Sequence, residues 1–376
     1  MANINFRSLP KISLHDHLDG GLRPKTMIEL AELAGHQLPS TDPEALRAWI
    51  NNVANSGSLE QYLTVFDHTT AVMQTAEALS RVAYEFGMDL ANDGVIYGEV
   101  RYAPEQHLRA GLTLDEVVNA VQDGLEKAMD DVDRQGGFLR TGQVITAMRH
   151  ADRALEIAEL AVRHRNEGVV GFDIAGAENG FMPVRHKVAF DYLASELFPV
   201  TVHAGEAAGI DSIKDALVNG NALRLGHGVR LIEDILLSER EGDTDFVQLG
   251  PVARWVYDRD IALELCPSSN LQTGALEFEI AAEIAADFKP TIADHPFDVF
   301  YDLGYKVTVN TDNRLVSNTT LTKELELLTE AFGYGLGDHE QFQLNAADAA
   351  FQDREDREEL VEMISEGFKR ARSDRR

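Results

Sequence analysis

The chain of 376 residues reads as a (β/α)8 barrel, and three features of the sequence predict it. Eight short apolar runs recur along it, each followed by a stretch with helical apolar spacing. The runs are continuously apolar rather than alternating, which suits parallel strands buried on both faces. No Gly-x-Gly-x-x-Gly follows any of them, so the rival open, doubly wound sheet lacks its usual mark. Eight βα units close into a barrel. No linker, repeat or low-complexity tract divides residues 1–376, so one domain is expected.

In order, Ile12-Ser13-Leu14 is a first strand opening into a Gly-rich loop at Gly20-Gly21. Residues 26–34, 43–50 and 59–90 show helical apolar spacing, including a long amphipathic piece, and form an extra cap over one end of the fold. Strands follow at 95–101, 143–148, 169–174, 199–203, 223–227, 261–266 and 307–311. Thr113-Leu114-Asp115-Glu116 is a capping-box start for a helix to Arg134. Residues 151–166, 185–197, 210–219, 252–258 and 297–303 are helical, helical turns run from 228 to about 237, and 239–245 is a charged loop. Helices at 321–332, 339–351 and 354–371 complete the chain.

With 63 acidic and 34 basic residues, the net charge of −29 repels phosphate backbones and anionic lipid, so neither nucleic acid nor a membrane surface is an expected partner. One cysteine, Cys266, permits neither an intrachain disulfide nor a Cys-based zinc finger. Met1 to Pro10 has no apolar signal core and no run reaches transmembrane length, so a cytoplasmic protein is expected.

In a barrel, the C-terminal ends of all eight strands surround one cavity. At those ends stand His15 and His17, Asp173 and Gly176, His203 with Glu206 just beyond, His227 between two glycines, and Asp312 with Asn313. His15 and His17 are two apart and leave an extended chain on the same face. Singly, each has a plain reading: His-x-His is often incidental, His227 could cap a strand, and Asp312 could cap a helix. Their common position at successive strand ends favours imidazoles and a carboxylate around a borderline metal such as zinc. The metal would bring a bound water towards neutral pKa, Glu206 would be a general acid/base, and His227 would orient hydroxide or stabilise developing charge. Strand four offers Asp173 but no lysine that could be carboxylated to bridge a second ion, which favours one metal. His295, in a loop before the last strand, is expected at the surface.

His15-x-His17-Leu18-Asp19-Gly20, His203-Ala204-Gly205-Glu206, Gly226-His227-Gly228 and Asn310-Thr311-Asp312 together resemble the adenosine deaminase family of the amidohydrolase superfamily, over residues of about 10 to 350. The resemblance implies one zinc ion per chain held by His15, His17, His203 and Asp312. It further implies hydrolytic deamination of adenosine, and of deoxyadenosine, to inosine and ammonia in purine salvage. Glu206 would protonate N1, and zinc-bound hydroxide oriented by His227 and Asp312 would attack C6. His17, Asp19, Gly176 and Asn313 form the implied substrate-contact set: Gly176 at purine N3, Asp19 at the ribose 5′-hydroxyl and Asn313 at N7. Many relatives carry a second aspartate where this chain has Asn313, whose NH2 donates to N7 at any pH. The segment 266–275 also resembles the nucleoside-specific branch. The apolar stretch 62–66 either covers the purine or packs the cap. A related aminohydrolase for adenine or a modified adenosine is the nearest rival reading. A catalytically silent nucleoside-binding protein is a second, though it should show decayed motifs and these are intact. Nothing in the sequence decides oligomeric state.

Overall fold

In the computed structural model, residues 4–56, 59–238, 246–276 and 289–374 are described. The barrel strands are β1 (Lys11–His17), β2 (Val95–Tyr102), β3 (Arg140–Met148), β4 (Val169–Ala175), β5 (Thr201–Ala204) and β6 (Arg224–His227). Two further strands, β7 (Ile235–Ser238) and β8 (Phe246–Leu249), lie outside the ring, and β9 (Ala262–Leu265) and β10 (Val307–Val309) complete it. Parallel pairing runs β1-β2-β3-β4 in one half and β10-β9-β6-β5 in the other. Single parallel bridges, Phe172 with Val200 and Asp16 with Asp312, join the halves into a ring. The second closure is held by His17 N–H to the Asp312 carbonyl at 2.7 Å and Asp312 N–H to the His15 carbonyl at 3.0 Å. Two groups expected around the metal are therefore neighbours because the barrel closes between them.

Strand alternation sorts the side chains. Ile12 and Leu14 of β1, Val100 of β2, Ile145 of β3, Phe172 of β4 and Val202 of β5 are fully buried in the apolar core, each contributing roughly 1.5–3 kcal/mol relative to exposure. Glu99 and Arg101, alternate residues of β2, are equally buried in an ionic cluster with Arg224, Glu264 and Asp173. Arg101 donates to Asp173 and Glu264, both at 2.9 Å, while Arg224 Nε lies 2.7 Å from Glu264. Removing one partner of such a buried set leaves an uncompensated charge, at a cost of about 3–5 kcal/mol.

The cap follows β1 as expected, and residues 59–90 are helical in three pieces. They form Leu59–Leu63, Phe66–Val72 and Ala76–Asn92. The second of the two breaks ends at Thr75, whose side chain accepts from the Ala78 amide and caps the third helix. The capping box at Thr113 and Glu116 is formed in full. One correction concerns 229–249. Only Val229–Asp234 is a helical turn, of 3-10 type, and β7 then pairs antiparallel with β8. A run as short as Ile235-Leu236-Leu237 carries no periodicity that separates helix from strand. The charged loop expected at 239–245 lies outside the described residues. Among the described residues, no helix is long and apolar enough to cross a membrane.

Candidate active site

β1 delivers His15 and His17 to the barrel mouth, β5 delivers His203, β6 delivers His227, and Asp312 follows β10. His227 and Asp312 both take positive φ, 65° and 59°, a sparsely populated conformation for residues with a Cβ. Here each turns its side chain off the strand end. Gly226 lets β6 approach, since a Cβ there would stand 3.1 Å from His203 Cα and 3.3 Å from His15 Cε1.

One ligand atom each from His15, His203, His227 and Asp312 lies within 4.8 Å of all the others. His17 belongs to the same cluster, its Nε2 standing 3.3 Å from both His203 Nε2 and Asp312 Oδ1. Five groups therefore meet where four ligands were expected, and the hydrogen bonds behind them distinguish their roles. His15 Nδ1 is 3.0 Å from Glu264 and His203 Nδ1 is 2.7 Å from Asp173. A carboxylate at Nδ1 accepts a hydrogen bond from the Nδ1–H, which keeps the proton there and leaves Nε2 as a lone pair directed at the cluster. His15 Nε2 is buried, with Asp312 Oδ1 3.4 Å away.

His227 is held the opposite way. The Phe297 amide donates to His295 Nδ1 at 3.0 Å, leaving the proton on His295 Nε2, which stands 3.1 Å from Asn270 Oδ1. That oxygen also accepts from the Cys266 amide at 3.2 Å, so the side-chain amide cannot be turned round. Its Nδ2 donates to His227 Nδ1 at 3.0 Å. His227 therefore carries its proton on Nε2 and presents a donor to the site. The set that fits a metal ion is His15, His17, His203 and Asp312, three imidazoles and a carboxylate.

The electrostatics agree. Burial holds His17, His203 and His227 below the usual imidazole range, which keeps them neutral. For Asp312 burial acts the other way, yet the His15 hydrogen bond and the surrounding imidazoles hold it well below the usual carboxylate range. Burial and Arg101 push His15 down, but hydrogen bonds to Asp312 and Glu264 carry it above its ordinary value. The space between those carboxylates favours positive charge. Glu206 is pushed well above the carboxylate range, first by burial and then by the charges of Asp312 and Glu178. Its Oε2 is 3.6 Å from His227 Nε2.

His17, Asp19, Gly176, His203, Glu206, His227, Asp312 and Asn313 all line one cavity of about 410 Å³, with His15 just behind them. Leu59, Tyr62, Leu63 and Phe66 of the cap line it too, so the stretch at 62–66 borders the cavity while Tyr62 and Val65 also pack in the core. A cavity of about 620 Å³ lies at the other end of the barrel, beside the strand starts Val169, Arg224 and Ala262, and no histidine is among its described lining residues. His295 is a correction: it is 2% exposed and anchors the hydrogen bonds behind His227. Sequence reasoning also passed over Glu178 and Glu264, and gave Ser269 and Asn270 no roles of their own within the segment 266–275. Ser269 donates to Asp312 Oδ2 at 2.6 Å. Asn270 stands in a short helix, Pro267–Gln272, a stretch after the strand 261–266 for which the sequence reading gives no element. Pro at the first helical position was the available signal.

A parallel barrel that gathers imidazoles and a carboxylate at the C-terminal ends of its strands has the architecture of the amidohydrolases. The adenosine deaminase family model matches residues 10–367. Adenosine deaminase 1 of Streptomyces coelicolor is 51% identical over 98% of this chain and 89% of its own. The chain belongs to the adenosine deaminase family, whose members are hydrolases. Among solved structures, adenine deaminase from Arthrobacter aurescens superposes with a TM-score of 0.79 at 23% identity, covering 96% of this chain and 99% of that one. A zinc-bound amidohydrolase from Burkholderia ambifaria gives 0.79 at 22% identity, covering 98% and 93%. At those identities the likeness concerns the fold alone.

Proposed function

We propose that this protein is a zinc-dependent adenosine deaminase, converting adenosine and deoxyadenosine to inosine or deoxyinosine and ammonia in purine salvage. The observation that carries the reading is Glu206, a buried carboxyl pushed towards its protonated form, lining the same cavity as His17, His203 and Asp312, with His15 behind them. One zinc ion would be held by His15, His17, His203 and Asp312, and when bound it supplies Lewis acidity that makes water a nucleophile near neutral pH. Glu206 donates its proton to purine N1, drawing electron density from C6. The His227 Nε2–H donates to the incoming oxygen and holds it in line with C6. Water adds to C6, the C6–N bond breaks, and the amino group leaves as ammonia after taking up a proton.

Asp19, Gly176 and Asn313 bind the rest of the substrate, at the 5′-hydroxyl, N3 and N7 respectively. Among the described residues lining the cavity there is no lysine or arginine, and Asp19 and Asp67 are present. A phosphate ester would meet carboxylates without the basic partners it requires, which favours a nucleoside over a nucleotide. The test is ultraviolet-monitored deamination of adenosine beside adenine and AMP, with Glu206→Gln as control. Adenosine should be converted and the others spared, and the variant should lose about 10²–10⁴-fold in kcat, as for a missing general acid. No turnover of adenosine by zinc-loaded protein would overturn the assignment.

A further inference from the structure

We infer that Glu178 is a positioning residue that fixes the loop carrying Glu206, because its carboxylate takes the amides of Gly205, Glu206, Ala207 and Ala208 together with the Ser212 hydroxyl. Oε1 accepts from Gly205 N–H at 2.7 Å and from Ser212 Oγ at 2.5 Å. Oε2 accepts from Glu206 at 3.1 Å, Ala207 at 2.7 Å and Ala208 at 2.9 Å. All five partners are donors, which is what an ionised carboxylate, an acceptor at every lone pair, can satisfy. Glu178 is 2% exposed, so water cannot replace it.

The four amides point one way because Gly205 has φ of +73° and turns the chain out of β5. Successive amides around such a turn form a concave nest for an anion, and Ser212 extends it into the first turn of the helix Ile210–Val218. Glu178 itself stands two residues beyond Gly176, on the loop after β4. It is fastened there: the Phe181 amide donates to the Glu178 carbonyl at 3.1 Å, and Arg149 spans from the Phe181 carbonyl at 2.9 Å to the His203 carbonyl at 3.0 Å. One side chain thus sets the spacing between the loop presenting the Gly176 amide and the loop presenting the Glu206 carboxyl. If Glu206 is the acid at N1 and Gly176 meets N3, as proposed above, this spacing is that of the two nitrogens on one purine ring. Glu178 is not among the residues that line the cavity.

The test compares zinc-loaded wild type with Glu178→Gln, whose NH2 would face amide donors. Backbone hydrogen exchange of residues 205–208 should rise by about tenfold or more, while β6 keeps its protection. Adenosine kcat should fall by about 10²-fold, the loss expected of a misplacement near 1 Å, with KM within about threefold and zinc at one equivalent. Unchanged exchange at 205–208, or a kcat loss that only tracks lost zinc or global unfolding, would overturn the inference. Should Glu178→Gln fail to fold, Ser212→Ala removes one of the five donors. Faster exchange confined to 205–208 with a several-fold lower kcat then supports the inference, and wild-type values for both overturn it. The exchange measurement decides on Glu178 even if wild type deaminates no adenosine, an outcome that would count against the proposed function alone.

Discussion

The Nε2 atoms of His17 and His203 face each other 3.3 Å apart, and both imidazoles are held below their usual pKa. Two neutral rings so placed can share one proton or, with His15 and Asp312, one cation. Metal analysis of the purified protein should give one zinc per chain, falling by more than half in His17→Ala and His203→Ala. Chelation should lower Tm as well as activity, because an ion bound at about 1,000 times its Kd stabilises the fold by about 4 kcal/mol. A chelated protein with an unchanged Tm would argue against a bound ion at this centre.

The barrel was legible because its strands are buried on both faces and read as unbroken apolar runs. The histidines were legible because a barrel turns strand ends into one site. Glu178, Asn270 and His295 were not. Each sits in loop-like text, and each acts on a residue distant in sequence: Glu178 on 205–208, Asn270 on His227, His295 on Asn270. No periodicity marks a partner across the barrel mouth. Glu264 and Arg101 were hidden differently, as charges within apolar strand text whose inward direction appears only once the ring closes.

Glu264 acts on the metal through His15, whose Nδ1 it meets at 3.0 Å. Burial opposes its charge, but Arg101 and Arg224 hold Glu264 well below the carboxylate range. Glu264→Gln keeps the volume and offers an amide where an acceptor is needed. Zinc affinity should fall by about 10–100-fold, the usual effect of losing such a supporting carboxylate. Competition with a metal-binding dye measures it, and an unchanged affinity would dissociate Glu264 from the ligand role of His15.

Asn270 fixes the tautomer of His227. In Asn270→Asp a carboxylate replaces the NH2 donor, draws the His227 proton to Nδ1, and leaves Nε2 without its hydrogen. By analogy with other sites where one donor to the reacting oxygen is removed, kcat should fall by about 10²–10³-fold. Zinc content should stay at one equivalent. His295→Ala frees one lone pair of Asn270 Oδ1 and should cost less than Asn270→Asp. Nitrogen-15 shifts of the His227 ring report the tautomer directly, and a protonated Nε2 in the Asp variant would remove the explanation.

Asn313 lines the cavity with its Oδ1 buried and unpartnered. If its NH2 meets purine N7, Asn313→Ala should lower adenosine kcat/KM by about 10-fold, roughly the 1.4 kcal/mol of one neutral hydrogen bond. A loss of less than about twofold would show that the contact is absent.

Asp19 supplies a prediction in pH. Burial raises its carboxyl to about 7, opposed by the amides of Asp19 and Gly20, and its Oδ1 has no partner in the protein. A carboxyl with pKa of about 7 is about one-tenth ionised at pH 6 and nine-tenths ionised at pH 8. If the ionised form accepts from the ribose 5′-hydroxyl, binding strengthens as pH rises through 7. The KM for adenosine should then fall by up to about tenfold from pH 6 to pH 8. A substrate lacking that hydroxyl, 5′-deoxyadenosine, should show a much flatter profile, and so should adenosine with Asp19→Asn, which cannot ionise. Parallel profiles for the two substrates on wild type would place the titration elsewhere and leave the 5′-hydroxyl without Asp19 as its partner.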